Sequence, residues 1–384
     1  MRVLLAVRDL SGRGGVNNVA VELAKHMAPL GVEFYVLSCH AGDSPWMKGH
    51  LPLPGTSGLP VIDVFEAPLR ARGAFRKAMA RVKPDLVHVH TPALVPPRGT
   101  PSLVTVHGTY LRDVPNLPKY PVSLPYKVFL SSLIYSQYRF ERHALRYFDR
   151  FHAVSSMTAE ELRSMGVPSP AIAMVPNGVD TGEFKPGTPL NVYEKYGLDR
   201  GSRIVLSLGT ITPRKGAHVV VRAAPAVLRE HPDAAFVFAG ACPRLGRSYQ
   251  KGMEDAAGKA RISGRVRFIG PVPQDDLVGL YNACSTFVSA SYTEGCSLNI
   301  LEAAACGRPV VSTDVGGARD VLGDHGLYAP AGDPGALAGG ILRALDSGER
   351  LGPPLRRRME SEFSWEKTAR DMLRVYEGAS RIGR

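Results

Sequence analysis

Short apolar runs alternate with helical stretches along most of this chain, and that alternation leaves few folds open. Val3–Val7, Phe34–Ser38, Leu86–His90, Leu103–Val106, Phe151–Val154 and Ala171–Val175 read as strands, with helices over Val16–Ala28 and Ala74–Val82. Strands separated by helices pair in parallel, so the pattern predicts a parallel sheet covered by helices. After Pro186-Gly187-Thr188-Pro189 the pattern restarts with Arg203–Leu208 and a helix near Ala217–Glu230. Ala235–Ala239, Val266–Ile269, Thr286–Ser289 and Val310–Ser312 continue it. The restart predicts a second α/β domain, with a boundary near residue 190, and 384 residues suffice for two domains. Leu51–Pro60, rich in Pro and Gly, reads as a surface loop. Open α/β sheets bind ligands at the carboxyl ends of their strands. Two such domains facing each other would bring both sets of ends to one cleft.

Composition narrows the classes. Hydrophobic residues make up 44% and charged residues 21%, which suits a globular chain. No apolar run reaches the roughly 18 residues of a membrane-spanning helix. Met1–Arg8 is too short in its apolar part for a signal peptide and reads as a first strand, so a cytoplasmic location is expected. Cys39, Cys242, Cys284, Cys296 and Cys306 show no CxxC spacing and read as buried thiols in a reducing compartment, neither disulfides nor a zinc site. A net charge of +12 favours anionic partners such as nucleotide-sugars or phospholipid surfaces. The charge is dispersed and no zinc-finger, RNP or basic-zipper pattern occurs, so no nucleic-acid partner is expected.

The chemistry-bearing residues sit where strands give way to helices. Glu294-Gly-Cys-Ser-Leu-Asn-Ile-Leu-Glu302 places one carboxylate in a loop and one on a helix. Ser297–Cys306 reads as that helix, with Gly307 suited to its C-terminal cap and Pro309 opposing continuation. The amides of residues 295 to 298 lie between the carboxylates, and such a helix start attracts phosphate or hydroxyl oxygens. Ser11-Gly-Arg-Gly-Gly-Val-Asn-Asn18 follows the first strand and suits a phosphate or acceptor loop. Asn17 stands at the third glycine position of a dinucleotide fingerprint, so that fingerprint fails. In Ser207-Leu-Gly-Thr-Ile-Thr-Pro-Arg-Lys-Gly216, Arg214 and Lys215 precede a helix, where two cations could neutralise a diphosphate. His107, in Thr105-Val-His-Gly-Thr109, closes a strand and reads equally as structural or functional. His88 and His90 lack a third ligand at metal spacing and read as structural or cleft-lining. Residues Arg112–Arg150 interleave aromatics with Lys and Arg, which suits an anionic membrane surface or a long helix whose aromatics fill the core; the core is the preferred reading.

Taken together and in this order, these motifs resemble the retaining glycosyltransferases of the GT-B fold, in particular glycosyltransferase family 4. The resemblance covers nearly the whole length. It rests on Gly14-Gly15, His107, Val175-Pro-Asn-Gly-Val-Asp180 with Phe184, Pro213-Arg-Lys-Gly216, and Glu294 with Glu302 in its Glu-Ala-x-Ala-x-Gly-x-Pro-Val-Val run. It implies two doubly wound Rossmann-like domains facing a central cleft. Residues 1–189 would form the acceptor side, with a last helix of about 366–384 packing back on it, and 190–365 the donor side. Glu302 would bind the ribose, Glu294 the donor sugar with the amides of Gly295, Cys296, Ser297 and Leu298, and Lys215 the diphosphate. His107 would touch the transferred sugar, Gly14 and Gly15 the donor phosphate or acceptor, Gly209 and Thr210 the donor, and Asn17 and Tyr110 the acceptor. The family commonly has Arg where Thr210 stands and Phe-Gly where Cys296-Ser297 stand. Arg214 is the candidate replacement for the missing charge.

The implied reaction moves a hexose-type sugar from a nucleotide-sugar to an acceptor hydroxyl with retention, on a glycan, lipid-linked or small-molecule acceptor. No Asp-x-Asp occurs, and no metal or cofactor is expected. Peripheral contact with the inner face of an anionic membrane would suit the basic aromatic stretch. The alternatives are an epimerase or phosphorylase of the same architecture, and a nucleotide-sugar binding protein that has lost catalysis.

Overall fold

The structure is a computed structural model that describes residues 1–10, 14–55, 60–188, 191–243 and 246–381, with backbone alone for 60–70 and 349. Its first sheet contains β1 (Arg2–Ala6), β2 (Glu33–Ser38), β3 (Met47–Pro52), β4 (Leu86–Val89), β5 (Ser102–Val106), β6 (Arg150–Ala153) and β7 (Ile172–Met174), in the order β3-β2-β1-β4-β5-β6-β7. The second contains β8 (Arg203–Leu208), β9 (Ala234–Ala239), β10 (Val266–Gly270), β11 (Thr286–Ser289), β12 (Val310–Thr313) and β13 (Leu327–Ala329), in the order β10-β9-β8-β11-β12-β13. Every strand pair is parallel. Chain order reverses direction between β1 and β4 in one sheet and between β8 and β11 in the other. Those are the switch points at which doubly wound sheets open a ligand crevice.

Two strands lie outside the sequence expectation. β3 carries Met-Lys-Gly-His-Leu-Pro, with no apolar run, and β13 is a short edge strand. An edge strand needs one row of backbone bonds and few buried side chains, so its sequence is weakly constrained. The surface loop expected over Leu51–Pro60 is corrected accordingly. Leu51 and Pro52 finish β3, Pro60 opens the helix Pro60–Val82, and residues 56–59 lie outside the described residues.

The chain divides into two compact units. One holds Met1–Val114, Val128–Gly178 and the chain from Trp365; the other holds Pro115–Lys127 and Val179–Ser364. The first unit buries both faces of its sheet. Leu4 and Ala6 pack with Phe75, Val87 and Val104 on one side, and Val3 and Leu5 with Leu23, Met27 and Phe34 on the other. Burial on both faces is why β1 reads as a continuous apolar run rather than an alternating one. The helix Trp365–Ser380 belongs to this unit and adds Ala369, Met372 and Tyr376 to the second cluster.

A chain of buried hydrogen bonds fixes that helix against the sheet, and its direction can be worked out atom by atom. The Val175 carbonyl can only accept, so His152 Nε2, 2.7 Å away, carries the proton. His152 Nδ1 is then bare and accepts from the Thr105 hydroxyl at 2.9 Å. The Thr105 oxygen accepts from His88 Nε2 at 2.6 Å, and His88 Nδ1 accepts from the Tyr376 hydroxyl at 2.6 Å. Each ring is therefore neutral with one assigned tautomer. Burial accounts for this, pushing His152 down to about 4 and His88 well below the usual imidazole range, the latter aided by His152 and His107.

The helix Leu124–Ala144 corrects the core reading of the basic aromatic stretch. It buries just Glu141 and Ala144, while Val128, Phe129 and Tyr135 are 59%, 51% and 52% exposed. Val128, Phe129, Leu130, Leu133, Ile134 and Tyr135 fall all round the helix, so no single stripe can be laid on a core. Of the aromatics in the stretch, Tyr120 and Phe148 are buried.

Replacing Tyr376 with Phe removes the first donor of the buried chain and leaves His88 Nδ1 without a partner. A loss of about 1–3 kcal/mol is expected, read as a lower urea midpoint at unchanged slope.

Candidate active site

Two loops at the carboxyl end of the second sheet build the site. The first leaves β8 at Leu208, passes Gly209 and exposed Thr210, and turns through Pro213–Lys215 into the helix Ala217–Glu230. Gly216 ends that turn at φ +70°, where a Cβ would stand 1.9 Å from the Ala290 carbonyl oxygen. Only glycine lets the turn press onto the chain leaving β11. The second loop runs from β11 to the helix Leu298–Ala305, with Ser297 at its N-cap and Gly307 at φ +66° beyond it. Gly316, at φ +58°, backs this loop, and a Cβ there would meet the Glu294 carbonyl oxygen at 2.3 Å.

The loops join through charge. Tyr292 N–H donates to the Arg214 carbonyl at 2.8 Å. The Arg214 guanidinium donates to the Thr293 carbonyl at 2.9 Å and to one Glu294 carboxylate oxygen at 3.2 Å. The Lys215 ammonium donates to the other oxygen of the same carboxylate. Burial by itself would raise the Glu294 carboxyl, but Lys215 and Arg214 outweigh it and hold the group below the usual carboxylate range. Glu294 is thus an ionised, largely buried acceptor with two cations beside it.

A pocket opens against this cluster at the β8/β11 switch point, lined by Gly209, Thr210, Lys215, Ser291, Ser297 and Asn299 among others. Asn299 Nδ2 donates to the Leu208 carbonyl at 2.8 Å and so ties the helix Leu298–Ala305 to the end of β8. Glu302, on the second turn of that helix, accepts from the Tyr281 hydroxyl at 2.7 Å. Burial, with the Glu183 charge adding to it, pushes the Glu302 carboxyl up to about 7 against the stabilising Tyr281 bond. The two glutamates of one motif are therefore set apart electrostatically, one held ionised and one poised near neutrality.

Arg214, Lys215, Gly209, Thr210, Gly295, Cys296, Ser297, Leu298, Glu294 and Glu302 all fall in this second unit. Cys296 is buried and Leu298 half-buried. Gly14, Gly15, Asn17, His107 and Tyr110 belong to the first unit. Gly14 caps the helix Gly15–Met27, its carbonyl accepting from Asn18 N–H at 2.9 Å; Ser11–Arg13 of that motif lie outside the described residues. His107 follows β5, half-buried, with Nε2 3.1 Å from His90 Nδ1. The next residues are held by two carboxylates. Tyr110 N–H donates to Glu141 at 3.2 Å, and the Thr109 hydroxyl and Arg112 donate to Glu161 at 2.8 and 2.6 Å. Burial raises Glu141 to about 8.

Sequence reasoning passed over Glu141, Glu161, Tyr281 and Asn299. The carboxylates lie on helices whose charges look solvent-facing, and no local pattern marks a tyrosine that will reach a glutamate on another helix. The buried His218, stacked on Tyr292 and edge-on to Tyr249, was also passed over. His218 Nδ1 meets the Tyr249 hydroxyl at 2.7 Å and Nε2 the Tyr292 hydroxyl at 3.1 Å, and burial, with Arg222 nearby, lowers the imidazole to about 4. Among the described residues, no cluster of His, Cys, Asp and Glu is arranged to hold a metal ion, and no helix is long and apolar enough to cross a membrane.

Two parallel, doubly wound sheets, the second with a charged crevice at its switch point, define a doubly wound α/β protein. Comparison with known proteins gives the family. Residues 13–183 match the model for glycosyltransferase family 4, and residues 191–362 match that for glycosyl transferases group 1. Sucrose-phosphate synthase from Thermosynechococcus elongatus superposes with a TM-score of 0.81 at 22% identity over 99% of both chains. Anabaena HepE in complex with UDP-glucose superposes with a TM-score of 0.76 at 16% identity, over 98% of this chain and 100% of that one. At such identities the likeness carries the fold, which is GT-B. The chain belongs to the group 1, family 4 glycosyltransferases. Among curated relatives, a D-inositol 3-phosphate glycosyltransferase of Acidothermus cellulolyticus is 34% identical over 54% of this chain and 48% of its own length. A phosphatidylinositol N-acetylglucosaminyltransferase component from Arabidopsis thaliana is 32% identical over 55% and 45%. The chain thus spans about half the length of the curated relatives it matches.

Glu302 gives a titration test of the site that needs no ligand. Its folded-state pKa lies above the unfolded value, so its contribution to stability is complete below about 4.5 and is lost as pH rises through about 7. Glu302→Gln keeps an acceptor for Tyr281 and removes the ionisation. The difference in urea midpoint between variant and wild type should grow in the variant's favour from pH 5 to pH 8; a constant difference would show that Glu302 is ordinarily ionised.

Proposed function

We propose that this protein transfers a hexose-type sugar from a nucleotide-sugar to an acceptor hydroxyl, with retention of anomeric configuration and without a metal. The observation that carries the reading is the pairing of Lys215 and Arg214 with buried Glu294 beside a helix start, at the switch point of a parallel sheet. Lys215, Arg214 and the amides of residues 295 to 298 supply positive potential where a departing diphosphate gathers charge. Arg214 takes the part of the cation absent at Thr210. Glu302 accepts hydroxyls of the ribose and Glu294 those of the sugar. His107 contacts the transferred sugar. The glycines at 14 and 15 let the backbone approach the donor phosphate or acceptor, and Asn17 and Tyr110 serve the acceptor.

Glu294 is ionised, but both of its oxygens are engaged by cations, which lowers its nucleophilicity. That supports a front-face transfer. The bond from the anomeric carbon to the phosphate oxygen breaks as the acceptor oxygen bonds on the same face, and the acceptor proton passes to the departing phosphate. The UDP-glucose complex of Anabaena HepE supports a nucleotide-sugar donor, and the inositol phosphate and phosphatidylinositol in the relatives' names support a polyol or lipid-linked acceptor; neither epimerase nor phosphorylase chemistry is favoured by an observation in the site.

The donor is found by thermal shift against nucleotides and nucleotide-sugars, with and without a chelator. One nucleotide-sugar should raise the midpoint with or without chelator, and Glu302→Ala and Lys215→Ala should abolish the shift. The product made with that donor should keep the anomeric configuration of the donor sugar. An inverted product sinks the front-face reading, and a chelator-sensitive shift sinks metal independence.

We also propose that the helix Leu124–Ala144 rests on an anionic bilayer. Val128, Phe129 and Tyr135 are exposed apolar side chains, and Arg139, Arg142 and Arg146 are exposed cations near them in sequence. At 100° per residue these three exposed apolar side chains share one side of the helix, although its apolar residues as a whole do not, and that combination suits the boundary between headgroups and acyl chains. Co-sedimentation with phosphatidylglycerol vesicles, but not with phosphatidylcholine vesicles, is expected. Phe129→Glu should reduce it at least tenfold while leaving the thermal midpoint in place. Equal sedimentation of variant and wild type would overturn the proposal.

A further inference from the structure

His90 is buried to 2% exposure beside the ring of His88, with ring centroids 4.4 Å apart, and its Nδ1 lies 3.1 Å from His107 Nε2. Its other nitrogen, Nε2, is buried with no hydrogen-bond partner among the described residues. His88 cannot supply one. Both of its nitrogens are committed, Nδ1 to Tyr376 and Nε2 to Thr105. The contact between His90 and His107 therefore has two possible directions with different consequences. If His107 Nε2–H donates, His90 must carry its proton on Nε2, as a buried N–H with nothing to receive it. If His90 Nδ1–H donates, the orphan atom is a bare lone pair. Buried N–H groups without acceptors are rarer in folded proteins than under-used acceptors.

We infer that His90 is a positioning residue: its Nδ1–H donates to His107 Nε2 and locks His107 in the tautomer that carries hydrogen on Nδ1. His107 is then a neutral ring whose Nε2 is occupied and whose Nδ1–H is left to donate; the described residues offer that N–H no partner. Neutrality agrees with burial, which pushes His107 down to about 3 with help from His152. The consequence for chemistry rests on the reading in which His107 meets the transferred sugar. There it offers an oxygen a hydrogen bond and is unable to take a proton through Nε2. A His107 that served as a base would need the opposite arrangement.

The test uses the full chain labelled with ¹⁵N-histidine, without donor, so it stands or falls apart from the transferase reading. Proton–nitrogen correlation spectra at pH 7 should show a His107 ring with a protonated, pyrrole-like Nδ1 and a bare, pyridine-like Nε2, assigned by loss of its signals in His107→Gln. His90→Asn, whose side-chain amide can donate from near the former Nδ1 position, should keep that pattern. His90→Leu, which cannot donate, should lose the pyridine-like Nε2 signal or average it with the other tautomer, and the thermal midpoints report whether both variants remain folded. A protonated Nε2 on His107 in the wild type overturns the inference whatever the variants do. So does an unchanged His107 pattern in folded His90→Leu.

Discussion

A carboxylate taken out of water must be compensated where it stands, and the second unit is organised around one that is. Glu294 is tolerated because Lys215 and Arg214 reach its two oxygens from the neighbouring loop. That requirement fixes much else. The two loops must approach to hydrogen-bonding distance, which Gly216 and Gly316 permit by having no Cβ at positions where one would overlap a carbonyl oxygen. The helix Leu298–Ala305 must begin beside the cluster, which Asn299 secures by bonding to the end of β8. Removing either cation would leave a partly compensated charge, and removing the carboxylate would leave two cations facing one another. The three residues stand as one unit.

The first unit solves a related problem with neutral groups. Tyr376, His88, Thr105, His152 and the Val175 carbonyl run across adjacent strands as donor to acceptor at each step. The terminal carbonyl sets the sense of the whole chain, since it has no proton to give. Low dielectric makes such a series worthwhile only when every member is satisfied. His90 stands at its side with one nitrogen satisfied and one not, which is where the arrangement becomes informative about His107.

Much of the fold was legible because parallel strands buried on both faces are written as unbroken apolar runs, as in β1, β5 and β11. β3 and β13 were not, since an edge strand can rely on backbone bonds that leave no mark on residue type, although the edge strands β7 and β10 keep readable apolar runs. The charged motifs were readable as pairs adjacent in sequence, Arg214-Lys215 and Glu294 with Glu302. What those residues do to one another was not: Lys215 and Arg214 hold Glu294 ionised against its burial, whereas burial and the Glu183 charge push Glu302 toward neutrality against the Tyr281 bond, and neither balance is written in the local sequence. The helix Leu124–Ala144 misled for a plain reason. Its apolar residues suggested a core, but they are spread around the axis, so a core on one side could not bury them all.

Val179 N–H donates to the Phe363 carbonyl at 2.8 Å, and Val179 bridges Ser364 in parallel. On the other side of each boundary, a Cβ at Gly178 would lie 2.7 Å from Trp365 Cα. The long segment Val179–Ser364 thus leaves and returns at one place, its ends already clasped. Such a segment is an exchangeable cassette: a different one with the same paired ends could be spliced in while the host sheet keeps its last helix. Such an exchange would replace nearly all of the second unit, with Pro115–Lys127 left behind in the host chain.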